Sequence, residues 1–286
     1  MFISDKWVDY ELLEVADGEK LEKWGDFFLV RPDPQVIWKG EKYSDLWTKA
    51  DAIYRRSNSG GGSWIKKKVP DEWVISYGDL KFLISPMGFK HTGIFPEQAV
   101  NWDWFSSLIK KSKRQINVLN LFGYTGAASV AAAKAGAKVC HVDASKGMVQ
   151  KAKINAKLSG VSPDSIRYIV DDCFKFVQRE IRRGNFYDAI ILDPPSYGRG
   201  PGGEKWMIEK DLDSLIASIS LLISEKPLFV LLNSYTTGLS PSSCGYILHS
   251  NISKKFGGHV ENQELGIPVK ADGICLPCGA SSRWTP

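Results

Sequence analysis

Residues 116–143 read INVLNLFGYTGAASVAAAKAGAKVCHVD. A short apolar run from Ile116 to Phe122 meets Gly123 and Gly126, a stretch of small residues follows over 127–135, and a second apolar run ends in Asp143. Two strands joined by a glycine turn and a helix form the unit of a parallel sheet, because parallel neighbours need a crossover of a dozen or more residues. Outward from this unit the alternation continues. A helix is expected over 145–158, a strand over 166–170, a helix over 173–183 and a strand over 187–192. A long helix over 204–224 and a fifth strand over 228–232 follow. Near-continuous apolar strands alternating with helices predict an α/β fold whose mostly parallel sheet is covered on both faces. The tail adds a helix over 241–256 and two late strand-like stretches near His259 and Ile274.

Upstream the texture differs. Residues 1 to about 85 alternate short β-prone runs with turn pairs such as Asp17-Gly18 and Gly78-Asp79, and they predict a small β-rich N-terminal domain. The predicted division is 1–88 for this domain and 89–286 for the α/β domain, with a helix over 96–111 opening at Pro96. A polar glycine and serine stretch over 55–63, followed by Lys66-Lys67-Lys68, reads either as a mobile basic loop or as a solvated linker.

Composition excludes several classes. With 286 residues, 43% hydrophobic and 24% charged, the chain has the makeup of a globular protein of about two domains, not of a disordered segment. No apolar run reaches the roughly 18 residues of a membrane helix, and the start lacks the pattern of a secretory leader. Five cysteines, Cys140, Cys173, Cys244, Cys275 and Cys278, are too few and odd in number for a disulfide framework, so a cytoplasmic protein with reduced thiols is expected. A net charge of +5 permits a polyanionic partner without requiring one. Cys275 and Cys278 have zinc-type spacing, but no second pair accompanies them, so no metal is expected. Tryptophan-rich stretches read as core packing or as a stacking platform for nucleic acid.

In an open α/β sheet the ligand sits outside the carboxyl ends of the strands, so the residues just after each strand carry the chemistry. After the first strand come Asn120, Phe122, Gly123, Tyr124, Thr125 and Gly126, where glycines permit backbone to approach a ligand. Asp143, followed by Ala144 and Ser145, lies 20 residues after Gly123, near the spacing at which a carboxylate meets ribose hydroxyls. Leu121 stands where a dinucleotide fingerprint needs glycine, so an adenosine ligand without a pyrophosphate is expected. The alternative is that the glycines serve helix-sheet packing and Asp143 a helix cap. Asp171, Asp172 and Cys173 follow the third strand, where one Asp suffices as a cap and the other is left to accept from an adenine amine. Asp193-Pro194-Pro195-Ser196-Tyr197 ends the fourth, exposing the Asp193 carboxylate and the Pro194 carbonyl as acceptors beside an aromatic ring.

VLNLFGYTG, VDAS, DDCF and LDPPSY, in this order, resemble the class I S-adenosylmethionine-dependent methyltransferases. They look most like the group containing the bacterial large-subunit ribosomal RNA methyltransferases. The resemblance extends from FKHTGIFPEQ at residues 89–98 to LPCG at 276–279. It implies a Rossmann-like sheet with a final antiparallel strand, S-adenosylmethionine as cofactor and RNA as substrate. By position it implies that Phe122 to Gly126 cradle the methionine portion, Asp143 binds the ribose, Asp172 reaches the adenine, and Asp193 lies near the sulfonium and the target. It also implies that Phe95 and Gln98 contact the cofactor, and that Asp193, Pro194 and Tyr197 align the acceptor.

Two features depart from that group. Methylation at cytosine C5 needs a cysteine nucleophile, yet Pro195-Ser196 follows Asp193-Pro194, and Asn233-Ser234-Tyr235-Thr236 follows the fifth strand. A nitrogen or oxygen acceptor is therefore favoured, and within RNA a base nitrogen. The N-terminal part also lacks the group's usual RNA-binding appendage, which keeps a small-molecule or protein substrate as the alternative, and a non-catalytic binding module as a third class. The loop over 198–206 reads either as a closure carrying Arg199 and Lys205 toward phosphates or as a plain connection.

Overall fold

The computed structural model describes residues 1–57, 61–200 and 202–286, so the centre of the 55–63 stretch and Pro201 lie outside the described residues. The chain forms two compact units. One comprises Met1, residues 101–265 and 279–286, and the other residues 2–100 and 266–278.

The first unit carries the alternating elements. Its helices are α1 (Ala99–Ser112, whose first two residues belong to the other unit), α2 (Ala127–Lys134), α3 (Lys146–Leu158), α4 (Cys173–Arg183), α5 (Ile208–Ile219) and α6 (Pro241–Leu248). Its strands are β1 (Asn117–Leu121), β2 (Lys138–Asp143), β3 (Ile166–Val170), β4 (Ala189–Leu192), β5 (Phe229–Ser234), β6 (His259–Pro268, whose last three residues belong to the other unit) and β7 (Cys275–Thr285, whose first four do), in the spatial order β3-β2-β1-β4-β5-β7-β6. The first five run parallel to one another and β7 runs antiparallel to β5, with Leu232 opposite Ser282, so the expected architecture is present. The order reverses between β1 and β4, which opens a crevice at their carboxyl ends.

Period-two alternation assigns the two faces. Leu119, Leu121, Cys140, Val142, Ile190, Leu192, Val230 and Leu232 pack on one side against Phe176 and Val177 of α4 and Leu212, Leu215 and Ile216 of α5. The intervening residues face the other side. There Phe105 of α1 stacks on Phe229, and Ser129 of α2 bonds Asn120 and His141.

One expected element divides. The long helix over 204–224 starts only at Ile208, because Lys205–Met207 pairs antiparallel with Tyr197–Arg199 in a small hairpin. The tail helix over 241–256 is also segmented: after α6 comes a π turn at His249–Ser253 and then Lys254–Phe256.

The second unit has a five-stranded sheet built from Tyr10–Ala16, Glu19–Trp24, Phe27–Pro32, Ala52–Arg56 and Gly62–Lys66, and a hairpin from Trp73–Tyr77 and Leu80–Ile84. Asp17 and Gly18 both have positive φ, as a two-residue turn of the primed type requires. Within its core Arg31 and Glu22 form a double hydrogen bond of 2.6 and 2.7 Å, and Tyr10 donates to the same carboxylate at 2.8 Å. Val269–Ala271 returns to this sheet beside Leu12 and Leu13. The compact β-rich unit extends to Val100 and includes the late segment 266–278.

Candidate functional site

The residues singled out after β1 to β4 lie in the α/β unit, at the carboxyl ends of adjacent strands. The loop after β1 has an unusual backbone: Phe122 (φ 56°), Tyr124 (φ 50°) and Gly126 (φ 81°) are all in the left-handed region. Two of these are bulky L-residues, so the conformation costs on the order of 1–3 kcal/mol each unless surroundings hold it. Side chains hold it. The Phe122 N–H donates to the Cys173 thiol at 3.3 Å, and the Tyr124 N–H donates to Asp143 Oδ2 at 2.8 Å. Gly123 N–H donates to the Val142 carbonyl at 2.9 Å.

The two glycines face protein. A Cβ on Gly123 would fall 2.4 Å from the His141 ring, and one on Gly126 would fall 2.6 Å from Ala152 Cβ. Their smallness therefore serves packing against β2 and α3, one of the two readings left open above. Asn120 is likewise turned inward. It is buried, donates to Ser129 Oγ at 2.8 Å, and Ser129 in turn meets His141 Nδ1 at 3.0 Å. Burial holds His141 neutral, with its pKa down at about 4. Thr125 is also buried, and its carbonyl accepts from Asn155.

Asp143 sits half-buried at the end of β2. One oxygen accepts the Tyr124 N–H and the other the Ser145 N–H, both at 2.8 Å. Desolvation raises its pKa against these two amides, which lower it. An ionised carboxylate accepts about four hydrogen bonds, so capacity for two further donors remains. Ser145 caps α3 by accepting from the Met148 N–H, so Asp143 is not the cap; Ala144, half-buried, lies between them.

The two aspartates after β3 divide their work. Asp172 caps α4 by accepting the Lys175 N–H on Oδ1 at 2.9 Å, while Asp171 is ion-paired with Arg179. The carboxylate expected to be left over is thus neutralised, and acceptor capacity remains on Asp172 Oδ2. Cys173 is fully buried and burial pushes its thiol far above the ordinary value, so it acts as a protonated packing group and not as a nucleophile.

After β4, Asp193 is half-buried and Pro194 buried, whereas Pro195, Ser196 and Tyr197 are exposed, Tyr197 by 52%. Ser196 Oγ lies 2.7 Å from Thr236 Oγ1 in the segment after β5. The hairpin that follows includes Trp206, which is buried, donates from Nε1 to the Pro195 carbonyl at 2.6 Å and packs its ring on Phe122 at 5.2 Å. Sequence reading placed Trp206 at a loop end and gave it no role; a bulky apolar residue in a glycine-rich loop was the available signal. Arg199 and Lys205 are cross-strand partners on this hairpin, and Arg199 Nε donates to the Tyr197 hydroxyl at 3.2 Å.

Phe95 and Gln98 belong to the other unit. Phe95 meets the His91 ring edge-on at 5.4 Å, and Gln98 is buried in a 3-10 turn, its N–H donating to the Phe95 carbonyl. Cys275 and Cys278 are in that unit as free cysteines, and Cys278 Sγ lies 3.4 Å from the Leu276 carbonyl. Among the described residues no group of acidic, His and Cys side chains has a metal-binding arrangement. No described helix is long and apolar enough to cross a membrane.

The donor and acceptor set suits an adenosyl ligand without a pyrophosphate: a half-buried carboxylate with spare acceptor capacity, a second free carboxylate oxygen one strand away, and loop amides already engaged with protein. Comparison with known proteins agrees. Over 99% of its length the chain matches the crystal structure of the SAM-dependent methyltransferase from Agrobacterium tumefaciens, with a TM-score of 0.93, 38% identity and coverage of 93% of that chain. It is 31% identical to the ribosomal RNA large subunit methyltransferase K/L of Shewanella frigidimarina over 69% of this chain and 25% of that protein. To the ribosomal RNA large subunit methyltransferase I of Aeromonas hydrophila it is 29% identical over 63% of this chain and 48% of that protein. The chain therefore spans from a quarter to about half of the length of these two curated relatives. The S-adenosylmethionine-dependent methyltransferase family profile matches residues 46–238, two thirds of the sequence, and the chain belongs to this S-adenosylmethionine-using family.

Proposed function

We propose that this protein transfers a methyl group to a base nitrogen of RNA. The observation that carries this reading is the face beside Asp193-Pro194. An exposed Tyr197 ring, steadied by Arg199, lies on a hairpin whose cross-strand pair two residues along is the cationic Arg199 and Lys205. A planar stacking surface next to two cations is the combination that single-stranded nucleic acid recognises, since bases stack and phosphates pair with charge. The names of the curated relatives, both ribosomal RNA large subunit methyltransferases, support the same substrate class.

When bound, S-adenosylmethionine supplies a methyl group already activated on a positively charged sulfur. The protein's own task is then orientation and exclusion of water. Asp143 accepts the ribose hydroxyls with its spare capacity, Asp172 Oδ2 accepts the adenine amine, and the bent loop from Phe122 to Gly126 shapes the wall for the methionine portion. Asp193 and the Pro194 carbonyl accept N–H groups of the target base and align its nitrogen, while Tyr197 stacks on the base, which must be unpaired to enter. Cytosine C5 is disfavoured as acceptor because Cys140, Cys173 and Cys244, the cysteines of this unit, are all buried thiols with raised pKa.

Incubation with radiolabelled S-adenosylmethionine and fractionated cell RNA, protein and metabolites tests the reading. Label in RNA, with transfer falling as salt rises, is expected; label confined to protein or metabolites refutes it. Asp193→Ala should reduce transfer on the order of a hundredfold or more while leaving the fold intact. Retained turnover would remove Asp193 from the catalytic set.

A further inference from the structure

We infer that Trp206 is a positioning residue that couples the loop after β1 to the turn after β4, so that occupation of the first organises the second. The inference rests on the reading that these two segments hold cofactor and acceptor.

Trp206 touches both segments through different parts of one side chain. Its indole N–H donates to the Pro195 carbonyl at 2.6 Å, and its ring packs on Phe122 at 5.2 Å. Each contact falls where the backbone is least free to adjust. Pro195 follows another proline, which restricts both residues. Phe122 is held in the left-handed region by its bond to the Cys173 thiol. A buried indole between two stiff segments transmits a shift in one to the other, because a close-packed interior leaves no slack to absorb it.

The hairpin brings further ties that keep Trp206 in place. Glu204 is ion-paired with Lys175 of α4, and the Ile208 N–H donates to the Ser196 carbonyl at 3.1 Å. Gly198 lies opposite Trp206 in the hairpin, and a Cβ there would sit 3.4 Å from Pro195 Cγ and 3.8 Å from Trp206 Cβ. The turn bearing Asp193 and Tyr197 is thus fastened to the loop after β1 through one aromatic side chain. A ligand that orders Phe122 to Gly126 also orders the acceptor turn, which favours binding of cofactor before acceptor.

Trp206→Phe tests the coupling, since it keeps a six-membered ring on the Phe122 side while removing the N–H that holds Pro195 together with the rest of the indole. The first readout is amide hydrogen exchange at Tyr197–Arg199 and Lys205–Ile208, measured with and without saturating S-adenosylhomocysteine. Slowing by ligand in the native protein, reduced at least several-fold in Trp206→Phe, is expected. Equal slowing in both proteins, or none in the native protein, overturns the inference. The second readout is the affinity for S-adenosylhomocysteine and the kcat for the labelled acceptor. Affinity within about twofold and kcat lower on the order of tenfold are expected, because only acceptor alignment is lost. Unchanged kcat with unchanged exchange refutes the coupling even if Trp206→Phe folds less stably. If RNA proves not to be the acceptor, the exchange experiment still decides the matter, so the two failures are distinguishable.

Discussion

Glu22 and Asp143, one in each unit, are carboxylates taken partly or wholly out of water, yet their surroundings differ in kind. Glu22 is fully buried and meets Arg31, Lys20 and Tyr10; despite the opposing cost of burial, these partners bring its pKa down to about 2. Among the described residues Asp143 accepts from two backbone amides and meets no cation, and burial raises its pKa. The first has spent its charge and its lone pairs inside the fold. The second retains capacity for donors from outside. Burial of an acid therefore says little about function until its partners are counted, and the carboxylate that lacks a cation is the one suited to a neutral hydroxyl ligand.

The largest expected effect breaks the first half of this comparison. Glu22→Gln leaves Arg31 buried without its counter-charge, Lys20 keeping its pairing with Asp33, and costs on the order of 3–5 kcal/mol. Urea unfolding should show that loss, whereas the affinity of the folded protein for S-adenosylhomocysteine should be unchanged; a stability within 1 kcal/mol of native would mean that water or another anion compensates. Next in size, Asp143→Ala should weaken S-adenosylhomocysteine about a hundredfold in titration calorimetry, since two hydrogen bonds to a charged group at about 1.5 kcal/mol each are lost. Native-like affinity would place the ribose elsewhere.

The smallest effect concerns pH, where each unit contributes a histidine. His91 and His141 both have pKa values lowered to about 4, His141 by burial alone and His91 by burial and then by Arg31, Lys90 and Lys20. In the unfolded chain a histidine takes up its proton near pH 6.5, so the stability due to both is present above that value and is lost as pH falls toward about 4. Glu22 contributes in a lower window, between about 4.5 and 2, because its folded value is the depressed one. The thermal midpoint should therefore fall by a few degrees between pH 7 and pH 5 while the Glu22 cluster remains intact. A flat profile over that range would show that neither histidine is held neutral.

The α/β pattern was readable because each strand after residue 116 is a short apolar run bounded by a turn, and local composition decides that much. β2 over Lys138–Asp143, β3 over Ile166–Val170 and α4 over Cys173–Arg183 form where their periodicity predicts. Lys205–Met207 lies where the loop expected over 198–206 runs into the helix expected over 204–224. It pairs as a strand because Trp206 gains a buried site against Phe122 that a helix beginning at residue 204 would not provide. The roles of Asp171 and Asp172 were equally open in sequence. The cap and the pairing with Arg179 were settled by which side chain the turn into α4 directs toward its first amides.

By itself the sequence determined the order of strands and helices along the chain and the positions of the acidic residues at the strand ends, since those follow from local hydrophobic period and turn chemistry. Only the tertiary structure decided that Gly123 and Gly126 face His141 and Ala152, that Asn120 is spent in the interior, that residues 266–278 rejoin the β-rich unit, and that Trp206 bridges two loops. Each of these joins parts of the chain whose meeting depends on how elements pack, and local composition carries no record of a partner that arrives from elsewhere in the sequence.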